Sequence, residues 1–352
     1  MPFRSIAGHR PLLALLARAT ARRSLPPSLV FAGPEGVGKR LTAIALAQAL
    51  NCERPIPWAR PAASAPADLR EVRGDETNAP GQDACGECAS CRRIARGVHA
   101  DVLIVQPEDS GTIKVDQVRE AIERAGYRPF EGRTRVVIVD EADALMDPAQ
   151  NALLKTLEEP PAASVFVLVT PRPDLLLPTV RSRCQRLRFG RLAPADVAEV
   201  LIREHGLAAS EAHAAAAASD GSIGRALQDG AGDLAAIRDV ASRLLHSVAA
   251  TVDPRRRLAG ARLLAGGTKD RDIVARRLNA VSSLLRDVMV LQSRADERML
   301  ANADLKPQLE PLLRSFDGDR ALRAFAAVDR ALFALDRSAN LNLVADWVAL
   351  QI

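Results

Sequence analysis

The chain has 352 residues, 48% of them hydrophobic and only 3% aromatic, enough for two or three domains with cores of Leu, Val and Ala. No apolar run is long enough for a membrane span and Met1-Pro2-Phe3-Arg4 carries no apolar leader, so a cytoplasmic location without membrane contact is expected. A net charge of +5 favours an anionic partner only mildly. Five cysteines, three of them closely spaced, point to a metal site in a reducing compartment and away from a disulfide framework.

Residues 9–23 read as a short amphipathic helix before Pro26-Pro27, placed either beside a nucleotide base or simply over a sheet. The apolar run Leu29–Ala32 then leads into Gly33-Pro34-Glu35-Gly36-Val37-Gly38-Lys39, the strand–glycine turn–helix pattern of a phosphate-binding loop. Gly33, Gly36 and Gly38 permit a tight turn with inward N–H groups, the next helix turns its positive end to the same point, and Lys39 adds a charge for terminal phosphates. The pattern requires Ser or Thr next, as a magnesium ligand. Arg40 stands there, and Thr42 points away from the loop. ATP or ADP is therefore an expected ligand, and an ordinary Mg2+ site is not. A helix from Lys39 to Asn51 follows, with Leu41, Ile44, Ala45 and Ala49 on its apolar face.

Residues 53–84, with five prolines and little periodicity, read as a loop or partly ordered insertion that Trp58 pins locally. Cys85-x-x-Cys88-x-x-Cys91 comes next, with Cys52 before the insertion. Four thiolates suit a closed tetrahedral site and hence structural zinc, with His99 as a rival fourth ligand. Asp101–Val105 predicts a second strand and 113–126 a helix. Arg135–Val139 is a third strand, delivering Asp140 and Glu141 at its carboxyl end, where open α/β sheets hold ligands. Asp140 would hold magnesium and Glu141 would orient the attacking water. Asp147 and Pro148 are expected to cap and open a helix ending at Pro160-Pro161. Strands at 165–169, tipped by Thr170 toward a γ-phosphate, and at 185–189 complete a five-stranded parallel α/β sheet. Helical units at 194–205 and 211–218 and a short helix at 221–227 precede a wholly helical region. Its segments fall near 234–248, 254–265, 268–299, 306–316 and 319–336, with arginines on solvated faces.

These residues carry a resemblance. Gly33 to Lys39, the cysteine cluster, Val139–Asp143, Asn151–Pro161, Leu177–Gln185 and Asn340–Leu343 resemble the bacterial clamp-loader ATPase subunits of the AAA+ class over essentially the whole chain. The resemblance implies an AAA+ P-loop domain with its zinc module over 1–190, a helical lid over 191–233 and a helical collar for oligomerisation over 234–352. Arg40, and a chain that stops just past the collar, make it similar to the delta-prime stators of DNA polymerase III rather than the tau/gamma motors. It further implies a heteropentameric ring with tau/gamma and delta subunits, which opens the sliding clamp and places it on primer-template DNA. Arg183 of Ser182-Arg183-Cys184 would be an arginine finger presented in trans, its guanidinium neutralising charge on a neighbour's γ-phosphate. Thr170 and Arg225 match the first and second sensor positions.

Three readings stay open on the sequence: a stator with little hydrolysis of its own, a motor subunit in which water and Asp140 ligate magnesium despite Arg40, and a zinc-containing structural or DNA-binding module with relic nucleotide elements. Arg183 as a purely structural residue also stays open.

Overall fold

Seven strands form among the described residues: β1 (Ser28–Ala32), β2 (Ile56–Trp58), β3 (Gly81–Asp83), β4 (Val102–Val105), β5 (Arg135–Val139), β6 (Ser164–Thr170) and β7 (Gln185–Arg188). Five of them make one parallel sheet in the order β4-β5-β6-β1-β7. This computed structural model describes residues 1–352 except 59–80, 109–110, 269, 296–299 and 338. It divides into two units, Met1–Arg191 and Leu192–Ile352.

Every residue of β1, β5 and β6 is buried, which is why these strands read as unbroken apolar runs. Their side chains still alternate between two cores. Leu29, Phe31, Val136, Ile138, Val165 and Val167 face α1 (Arg10–Ala21) and α2 (Lys39–Asn51). Across the sheet, Val30, Ala32, Val137, Val139, Phe166 and Leu168 face α4 (Val115–Gly126) and α5 (Asp147–Glu158); α3 (Ala89–Ala95) precedes this pair in the chain and α6 (Pro178–Arg181) follows it. Asp147 is not the cap of α5. The helix starts at Asp147 itself, with Met146 as an extended N-cap that offers no side-chain bond, so Asp147 acts from within the first turn.

The insertion is not a plain loop. β2 and β3 pair antiparallel from Ile56↔Asp83 to Trp58↔Gly81, drawing its two ends together; residues 59–80 lie outside the described residues. Trp58 packs edge-on against Phe3, with ring centroids 6.2 Å apart. Gly81 lies so close to α1 that a Cβ there would meet the Ala17 methyl at 2.8 Å.

The second unit is helical: α7 (Pro194–His205), α8 (Ala209–Ala218), α9 (Ile223–Ala249), α10 (Pro254–Ala265), α11 (Arg271–Gln292), α12 (Lys306–Leu309), α13 (Gly318–Asp336) and α14 (Leu341–Gln351). Leu192, Val197, Leu201, Ala212 and Ala226 form a small core, and a larger one runs from Ala241 to Ile352. The short helix expected at 221–227 is the first part of the 27-residue α9, which runs without a break through position 233. Its start is set by Ser222, whose hydroxyl accepts from Arg225 N. Its length follows from packing of Ala241, Leu244, Leu245 and Val248, which overrides the weak helix preference of Gly230 and Gly232. Asn340 caps α14, accepting from the N–H groups of Asn342 and Leu343. Among the described residues no helix is long and apolar enough to cross a membrane.

Candidate functional site

The glycine loop leaves β1 at the carboxyl edge of the sheet, where Gly33 N donates to Thr170 O of β6 at 3.3 Å. Gly36 (φ +69°) and Gly38 (φ +95°) adopt the left-handed backbone such a turn needs. At the head of α1, His9 places Nε2 3.0 Å from the Val37 carbonyl and packs edge-on against Phe189. The first helix therefore braces the loop, a role its sequence left open. Lys39 is buried, and its Nζ donates to the loop's own carbonyls, Gly33 O at 2.7 Å and Pro34 O at 2.5 Å. Burial lowers its pKa, opposed by the charges of Glu35, Asp140 and Asp143.

β5 brings its acids to the same place. Asp140 is 7% exposed and forms an ion pair with Arg40, Oδ2 to Nη1, at 3.0 Å. Its other oxygen accepts from Glu141 N at 3.2 Å. Glu141 takes a left-handed backbone (φ +50°), and partial desolvation followed by the charges of Asp140, Asp143 and Glu35 raises its pKa. Thr170 is fully buried; its hydroxyl donates to Asp143 Oδ1 at 2.9 Å and accepts from Arg172 N at 3.0 Å. Arg172 closes this group with an ion pair to Asp143 at 2.9 Å. The sequence reading had missed the Asp143–Arg172 pair, although both residues lie within three positions of a predicted one. Magnesium does not fit this donor set. It takes oxygen ligands, whereas a guanidinium has no lone pair to give, and here the guanidinium already occupies the strand acid.

Arg183 lies elsewhere. β7 runs parallel to β1 with Leu29 opposite Gln185, so Arg183 sits beyond the amino-terminal edge of the sheet. Gly33 is four residues further along β1, about 13 Å away along the strand direction. Glu158 shares that edge, since Ser28 Oγ reaches Leu157 O at 3.5 Å. The guanidinium bonds Glu158 and the Thr179 carbonyl. Arg225 belongs to the second unit, half-buried in the first turn of α9.

Cys52, Cys85, Cys88 and Cys91 converge, with their sulfurs all within 4.8 Å of one another. The β2–β3 pairing explains how Cys52 and Cys85, separated by 32 intervening residues, come together. Asp83 anchors the hairpin to the amino terminus by accepting from Phe3 N and Arg4 N, and Gln48 ties the cluster to α2 through Cys91 O. Backbone N–H groups point at the sulfurs: Cys85 N at Cys52 Sγ (3.2 Å), Cys88 N at Cys85 Sγ (3.3 Å) and Cys91 N at Cys88 Sγ (3.4 Å). Four sulfurs converging at this distance fit one metal ion. His99 is outside it, its two ring nitrogens engaged with Ser90 Oγ at 3.0 Å and Asp101 N at 3.1 Å.

A parallel sheet of this order, with a glycine loop after one strand and an acid pair ending another, defines an α/β P-loop domain of the AAA+ class. The family described as DNA polymerase III, delta subunit, matches residues 72–193. DNA polymerase III subunit tau of Bacillus subtilis is 32% identical over 190 residues, 54% of this chain and 29% of that protein. Subunit delta' of Pseudomonas aeruginosa is 35% identical over 172 residues, 49% of this chain and 45% of that protein. These matches make the chain similar to clamp-loader subunits of DNA polymerase III. Both the tau and the delta' branches occur among its relatives at similar identity, and the match spans less than half the length of each.

Proposed function

We propose that the chain is a delta-prime-type stator of a DNA polymerase III clamp loader, which donates Arg183 to ATP held by an adjacent subunit and hydrolyses little or none itself. The observation that carries this reading is the position of Arg183. It is too far along the strand direction to serve its own glycine loop, yet half-exposed at an edge from which it can reach a neighbour. A guanidinium there would neutralise charge developing on the neighbour's γ-phosphate. The ion pair of Arg40 with Asp140 supports the lack of hydrolysis, because it takes the acid that a motor subunit would use for magnesium.

The partners would be tau/gamma and delta subunits in a heteropentameric ring, with the sliding clamp and primer-template DNA engaged mainly through the complex. The lid would span 191–233 and the collar 234–352. Zinc is the ion that four thiolates suit, and with no open coordination position its role would be structural.

The test is DNA-stimulated phosphate release by a reconstituted loader carrying Arg183→Ala. Ring assembly should persist while turnover falls about tenfold or more, arginine fingers being worth large factors in rate. Unchanged turnover defeats the reading. The competing reading, a motor subunit, draws on the grouping of Lys39, Asp140 and a Glu141 of raised pKa. It requires magnesium-dependent turnover in rings whose other phosphate loops are all disabled.

A further inference from the structure

The geometry points to a nucleotide site that works without a divalent cation: we propose that the glycine loop takes ADP or ATP directly, with the Arg40 guanidinium standing where a magnesium ion would. This inference rests on the reading of Gly33–Lys39 as a phosphate cradle and goes beyond the stator role.

Three features of the site support it. The cradle's donors are free, since among the described residues no carbonyl or side chain accepts from the backbone N–H groups of Gly36, Val37 or Gly38. Among the described residues Lys39 is held by two neutral carbonyls and by no carboxylate, so phosphate oxygens can replace its partners without breaking an ion pair. Arg40 is half-exposed and uses one nitrogen on Asp140. Its remaining donors can bond phosphate, for which the planar guanidinium fork is suited.

A metal ion would compete poorly for the same place. It would have to take Asp140 from Arg40, strip the guanidinium of its counter-charge, and set two further positive charges beside it and Lys39. Without the metal, Asp140 fixes Arg40 and Arg40 meets the phosphates. Attack on the γ-phosphate would then lack the cation that normally bridges the β- and γ-oxygens, so bound ATP should persist unhydrolysed.

Calorimetric titration of the full-length chain with ATP and with ADP, in EDTA and in excess MgCl2, tests the proposal. The expected result is binding in EDTA with a Kd within threefold of that in magnesium, without phosphate release in either. Arg40→Ser restores the hydroxyl, frees Asp140, and should weaken binding in EDTA at least tenfold while recovering it with magnesium. Thermal unfolding checks that this variant folds, and the wild-type comparison decides the matter if it does not. Wild-type binding that requires magnesium overturns the proposal. So does absence of binding in both buffers, which would make the ion pair a plug, and so does an Arg40→Ser variant that binds equally well in EDTA. The stator reading is judged separately by Arg183→Ala in the assembled loader, so either idea can fail while the other stands.

Discussion

Arg183 and Glu158 meet at the amino-terminal edge of the sheet, Nη2 and Nε lying 3.1 and 3.3 Å from one carboxylate oxygen. The residue proposed to act on a neighbour is thus held within its own chain. Both side chains are substantially solvated, at 32% and 60% exposure, and such pairs contribute only about 0.2–1 kcal/mol. The restraint is weak enough for a neighbouring phosphate to outbid. Glu158→Gln should therefore leave the unfolding midpoint almost unchanged and alter loader turnover by no more than about fivefold, upward. Phosphate release from the reconstituted complex measures this. A tenfold fall would mean that Glu158 presents Arg183 instead of restraining it.

Asp101 is the polar anchor of the edge beside β4. It accepts from the N–H groups of Phe130, Glu131 and Gly132 and from Arg135 Nη2, all at 2.7–2.8 Å. Burial alone would raise its pKa, but these bonds together outweigh burial and hold it at about 2, against 3.8 ordinarily. A carboxyl depressed on folding stabilises above its unfolded pKa, and that stability is lost as pH falls through the folded value. The window here is pH 4 to 2, and the contribution about 2 kcal/mol. Asp101→Asn should cost about 3 kcal/mol at pH 7 because it strands Arg135, with the gap to wild type narrowing below pH 4. Denaturant unfolding at several pH values checks both.

Metal removal should be felt well beyond the four thiols, because the hairpin and α2 are tied to the cluster. The purified chain is expected to hold one zinc by atomic absorption. A strong chelator or Cys91→Ser should remove it and lower stability by at least about 3 kcal/mol, read from thermal unfolding. His99→Ala should keep the metal, since that ring is engaged elsewhere. Zinc lost from His99→Ala, or a cysteine variant that keeps both zinc and stability, would contradict this assignment.

Gly33→Ala tests how closely the loop is packed. A Cβ there would collide with the Phe189 carbonyl oxygen, and that carbonyl cannot retreat without disturbing the chain just after β7. The expected loss is about 2 kcal/mol, accompanied by loss of nucleotide binding. An alanine variant of wild-type stability would show that the edge of the sheet yields more readily than this contact implies.

Much of the first unit was legible because local patterns there agree with tertiary demands. Apolar runs such as Val136–Val139 can be satisfied only in a sheet covered on both faces. The step from Ala32 through the glycines to Lys39 fixes a strand, a turn and a helix start without reference to anything distant. The hairpin of β2 and β3 was not legible. Its strands are three residues each, with Pro57 inside one, and they form because Asp83 and Gly81 dock on the amino terminus and α1. The continuity of α9 was likewise decided by distant residues packing against its second half.

The sequence by itself determined which chemical groups are present: a phosphate loop lacking its hydroxyl, two strand-end acids, four cysteines and a Ser-Arg-Cys run. Only the tertiary structure decided what each group is paired with. Arg40 meets Asp140, 100 positions away, Thr170 donates a hydrogen bond to Asp143, and Arg183 rests on Glu158. The physical reason is that a side chain's type and local conformation are set by near neighbours in the chain. The partner of a charge is set by strand order and register, which bring the ends of β1, β5 and β6 together and carry Arg183 to the opposite edge.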